Sequence, residues 1–112
     1  MVSVEFVDNG IKTIIQCNEN DKLEDIIQRY CFKTHKNIEK MIFLYSGNII
    51  FNKNKTWNEL ANLEDKKRKI ISILIIWNWM LNALINFIDK SVFLNIKNTL
   101  YFKIYDILIS II

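Results

Sequence analysis

Between Ile70 and Ile88 the chain reads IISILIIWNWMLNALINFI, nineteen residues without a charged side chain. About twenty mostly apolar residues are enough to cross a bilayer as a helix. The first half argues against that use. Ile70–Ile76 is mostly β-branched, is of strand length and follows the charged cluster Asp65–Lys69, the pattern of a buried strand. Beyond it the spacing changes: Asn78, Asn82 and Asn86 stand four apart, a helical period. The stretch therefore divides near Trp77 into a core strand and the start of a C-terminal extension.

The residues before this strand supply it with neighbours. Val2, Val4 and Phe6 alternate with Ser3 and Glu5, the period of a half-buried strand. Asn9-Gly10 is a strong hairpin signal, because both residues tolerate positive φ, and Ile11–Cys17 is the expected return strand, with Thr13, Ile15 and Cys17 on one face. Asp21, with Glu24 three residues on, has the form of a capping box. Leu23, Ile26, Ile27 and Tyr30 then form one helical apolar stripe. After a polar connection plugged by Ile38 come a strand at Met41–Tyr45, a Ser46-Gly47 turn and a short strand at Asn48–Ile50. Thr56 is expected to cap a single turn, Trp57–Leu60, pinned by Leu60 and Leu63. The basic run Lys66-Lys67-Arg68-Lys69 reads as a solvated loop before the last strand.

In order and spacing, residues 2–76 resemble the ubiquitin-like β-grasp family. The likeness rests on the hairpin glycine, the Leu23/Ile26/Tyr30 helix, the strand-Ser-Gly-strand segment Phe43–Ile50, the Thr56–Leu60 turn and the closing apolar strand. It implies an α+β fold, a mixed five-stranded sheet packed on one helix, with the last strand central, parallel to the first and beside Met41–Tyr45. Ile71, Ile73 and Ile75 then face the helix, and Ser72, Leu74 and Ile76 face the other way with Ile42, Leu44 and Ile49. In that family the positions of Leu44, Ser72 and Leu74 form the apolar patch that partner domains read. The resemblance thus implies a protein-binding patch of Ile42, Leu44, Ile49, Ser72, Leu74 and Ile76. Asp8 departs from it, standing where an apolar loop residue is expected. The conjugated members carry Gly-Gly just after the last strand. This chain has Trp77-Asn78 there and ends in Ser110-Ile111-Ile112, so a non-conjugated docking module is expected.

The chain offers little for catalysis. His35 is the only histidine and lies in a polar segment, Cys17 and Cys31 lack metal-ligand spacing, and Gly10 and Gly47 are both explained by turns. No enzyme activity, metal or cofactor is expected. A net charge of +3, from 15 basic and 12 acidic residues, is too small for a nucleic-acid groove. Two unpaired-looking cysteines and an N-terminus interrupted by Ser3, Glu5 and Asp8 point to an intracellular protein, cytoplasmic or nuclear.

The expected division is a β-grasp domain at 1–76 and an apolar, helical extension at 77–112. Three roles for the extension follow. It covers the apolar patch; or it associates with a membrane, although Lys97, Lys103 and Asp106 disfavour a span; or it is an accidental addition without function.

Overall fold

The computed structural model describes residues 1–80. Five strands form one mixed sheet: β1 (Val2–Asp8), β2 (Ile11–Cys17), β3 (Met41–Tyr45), β4 (Asn48–Ile49) and β5 (Ile70–Trp77), in the order β2-β1-β5-β3-β4. Helix α1 (Leu23–Thr34) packs on one face. Two short helices, α2 (Trp57–Leu60) and α3 (Leu63–Arg68), lie in the connection from β4 to β5.

The central strand is the one that the isoleucine run predicts. β5 pairs parallel with β1, Val4 opposite Ile71 and Phe6 opposite Ile73, and antiparallel with β3, Phe43 opposite Ile75. Ile71, Ile73 and Ile75 are buried against α1, and each such side chain contributes roughly 1.5–3 kcal/mol by leaving water. β5 ends at Trp77 and residues 78–80 are helical. The chain is thus not one helix through 70–88. Beyond Met80, the helical extension expected over 77–112 lies outside the described residues. Among the described residues, no helix is long and apolar enough to cross a membrane.

The hairpins follow local chemistry. Asn9 and Gly10 both have positive φ, 51° and 81°, as a two-residue turn between Asp8 and Ile11 requires. Ser46 and Gly47 repeat the pattern, at 49° and 79°, between Tyr45 and Asn48. α1 buries Leu23, Ile26, Ile27 and Tyr30, the full expected stripe. The Phe6 and Tyr30 rings stack at 4.4 Å.

Three local expectations need correction. Asp21 does not cap α1: the N-cap is Lys22, without a side-chain hydrogen bond. The Asp21 carboxylate instead accepts from the Asn18 backbone N–H at 2.9 Å and from Arg29. The first helical N–H groups, of Leu23 and Glu24, donate to the carbonyls of Lys55 and Lys53, so a distant loop does the capping. Second, the basic run is helical. Asn62 caps α3 by accepting from the Asp65 N–H at 2.8 Å, and Lys69, at φ 60°, closes it. Third, Leu63 is exposed rather than pinned to the core, where Trp57 and Leu60 do the anchoring. The Thr56 capping box, completed by Glu59, is present as expected.

Candidate interaction surface

Alternation along β5 sends Ile71, Ile73 and Ile75 to one face of the sheet and Ser72, Leu74 and Ile76 to the other. Pairing extends that second face across the strands. Leu74 lies opposite Val7 on one side and Leu44 on the other; Leu44 in turn pairs with Ile49, and Val7 with Lys12. One register row, Lys12–Val7–Leu74–Leu44–Ile49, therefore crosses all five strands. Ile76 and Ile42 form a shorter row beside it. All six patch residues expected from the sequence share this face.

They are not equally accessible. Leu44 and Ile76 are 2 % and 1 % exposed and form the centre of a second apolar cluster, separate from the core beneath α1. Ile42, Ile49 and Leu74 pack around them and are partly buried, as is Met80. Ser72 is exposed, and it pairs with Glu5 in a row that continues to the exposed Ile14. Glu5 and Lys12 form an ion pair at 3.6 Å, a charged rim on the β2 side. Sequence reasoning missed two contributors, Val7 and Met80. Val7 was legible, because it continues the alternation of Ser3 and Glu5 on the outward face.

Asp8 does not stand on a loop beside this surface. It is the last residue of β1, shares the helix-side face with Phe6 and is 7 % exposed. Its carboxylate accepts from Lys36 Nζ and, at 2.8 Å, from Trp77 Nε1. Lys36 also donates to the Tyr30 hydroxyl at 3.0 Å. Burial pulls the Lys36 ammonium down, but the bonds to Asp8 and Tyr30 outweigh it and hold the group above its ordinary value.

A second polar network sits at the other end of the sheet. Tyr45 Oη donates to Asp65, accepts the Asn62 N–H at 3.0 Å, and Arg68 donates to the other Asp65 oxygen. Asp65 is buried, which raises its carboxyl; the donors from Tyr45 and Arg68 more than reverse this and lower it. Both networks join elements distant in sequence, as structural ties do.

The remaining reactive groups are poorly prepared for chemistry. Burial pushes the Cys17 thiol up to about 11 and raises Cys31 as well, so neither is a ready thiolate. His35 is exposed at the C-cap of α1. Among the described residues no three His, Cys, Asp or Glu side chains converge as metal ligands do.

No family model matches the sequence, and no curated protein does. Solved structures do match. A ubiquitin-like domain from Arabidopsis thaliana superimposes with a TM-score of 0.56 at 12% identity, over 68% of this chain and 76% of that one. The ubiquitin of Caldiarchaeum subterraneum gives 0.57 at 11% identity, over 69% and 92%. The fold is the ubiquitin-like β-grasp. At such low identity the shared property is the arrangement of the sheet and helix. The ubiquitin-like sheet sets the register that brings Leu44, Ser72 and Leu74 together here. Here the last strand ends at Trp77, which is tied inward to Asp8, and Asn78 follows it.

Proposed function

We propose that residues 2–76 are a non-conjugated ubiquitin-like interaction module that binds an intracellular protein partner through the sheet face opposite α1. The observation that carries this reading is the apolar row Val7–Leu74–Leu44–Ile49 across adjacent strands, with Ile42 and Ile76 beside it and Ser72 exposed on the same face. An apolar sheet face on the side away from the helix calls for a protein contact, from a partner or from the chain itself. The contact is non-covalent: β5 ends in a bulky indole engaged with Asp8, and Asn78 rather than a diglycine follows it. No cofactor takes part.

Titration of the ¹⁵N-labelled full chain with a panel of ubiquitin-receptor domains tests the proposal. Amide shifts should move at Ile42, Leu44, Ile49, Ser72, Leu74 and Ile76 and stay fixed on the outer side of α1. Binding that maps to Glu24, Asp25 and Gln28 on α1 would overturn it.

A further inference from the structure

The outer-face cluster is more deeply buried than an open docking surface. Leu44 and Ile76 are almost inaccessible, yet α1 packs on the opposite side of the sheet and cannot account for it. The described residue seated on the cluster is Met80, in contact with the group formed by Ile42, Leu44, Ile49, Leu74 and Ile76. Its route there is defined. Trp77 ends β5 with its indole held by Asp8, and residues 78–80 turn helical. Asn78 Nδ2 donates to the Glu39 carbonyl at 3.3 Å, fixing this turn beside the start of β3. Met80 then lands on the cluster while Trp79 points away and is 64 % exposed.

We infer that the turn Asn78–Met80 occupies the outer sheet face in cis, so that a partner reaches Leu44 and Leu74 only by displacing it. The occupant is this chain's own Asn78–Met80 turn, because Asn78 is bonded beside β3 and Met80 is already in place on the cluster. The competition rests on the proposed interaction function; the cover itself does not. The device makes the module self-inhibited, with the affinity for a partner reduced by the fraction of chains in which the face is closed.

Two measurements on the full chain test this. In methyl-labelled protein, the Met80 ε-methyl should show NOEs to Leu44 and Ile76 methyls that persist unchanged on tenfold dilution. Their absence, or their appearance only between differently labelled chains, would overturn the cis contact. Second, Met80→Lys should raise the fluorescence of a hydrophobic dye several-fold, whereas Trp79→Lys should leave it unchanged. Equal responses of the two variants contradict the inference, and the NOE result stands even if Met80→Lys fails to fold. If dye binding rises in Met80→Lys but no receptor domain gains affinity, the cover stands and the interaction reading falls.

Discussion

Trp77 Nε1 donates to Asp8 Oδ1 at 2.8 Å, joining the last residue of β5 to the last residue of β1. These strands run parallel, so the bond closes the same end of both. Lys36 approaches the same carboxylate from the loop after α1, and its ammonium also lies 5.4 Å from the Tyr30 ring centroid. One buried acid thus ties the central strand, the first hairpin and the helix together.

Asp8→Ala should therefore cost more than a surface substitution. It leaves the indole N–H and a partly buried ammonium without their acceptor, a loss of about 2–4 kcal/mol in urea denaturation. Trp77→Phe removes one donor and keeps most of the packing, so its cost should be about 1–2 kcal/mol. A loss below about 0.5 kcal/mol for Asp8→Ala would show that the tie is not structural.

Trp57 makes a second long-range tie. It is 1 % exposed at the first position of α2, and its Nε1 donates to the Ser3 carbonyl at 3.1 Å. Trp57→Ala should destabilise by about 3–5 kcal/mol through the cavity left behind. Trp57→Phe should fall well below that, having lost the hydrogen bond and part of the ring. The two midpoints in one denaturant series check the ranking.

Much of the architecture was legible because it follows simple periods. The isoleucine alternation identified the buried face of β5, the Leu23–Tyr30 stripe identified α1, and Asn9-Gly10 and Ser46-Gly47 identified the hairpins. What escaped depends on partners far away in sequence. α3 has no apolar stripe, and its helical state rests on the Asn62 cap and on Asp65 meeting Tyr45. The start of α1 borrows carbonyls from Lys53 and Lys55, so Asp21 was free for Asn18 and Arg29. The shared face of the candidate patch was legible from strand parity. Cover of that patch by the extension was one of three readings; that Met80 packs on Leu44 and Ile76 was not legible, because it approaches from beyond the strand.

The titrating groups define two pH limbs. Asp65 is held below the ordinary aspartate value of 3.8, so its contribution to stability is present above that value and is lost as pH falls through its folded-state pKa. Lys36 and Tyr45 are raised above 10.5 and 10.0, so their contributions are complete below those values and fade as pH rises past them. Burial also raises the Cys17 and Cys31 thiols above 9.0, so stability should be flat through neutrality and fall below about pH 4 and above about pH 9. Asp65→Asn should reduce the acid limb in a pH series of thermal melts, and Lys36→Met should remove only part of the alkaline one, which the thiols and Tyr45 share.

Cys17 should behave as a buried thiol. With its pKa pushed up to about 11, little thiolate exists at pH 8, and reaction with a disulfide reagent should be at least tenfold slower in the folded chain than in urea. Cys31, partly buried and raised as well, should react before Cys17. Equal, fast labelling of both in the native protein would contradict the packing of β2 on α1.

The sheet face opposite α1 is the proposed site of partner binding. A photo-crosslinking residue placed at Ser72, exposed on that face, and separately at Gln28, exposed on α1, tests it most directly in cells expressing the full chain. A discrete protein adduct is expected from Ser72, strengthened by Met80→Lys and lost with Leu74→Asp, and none from Gln28. Adducts from Gln28 alone, unaffected by Leu74→Asp, would contradict it.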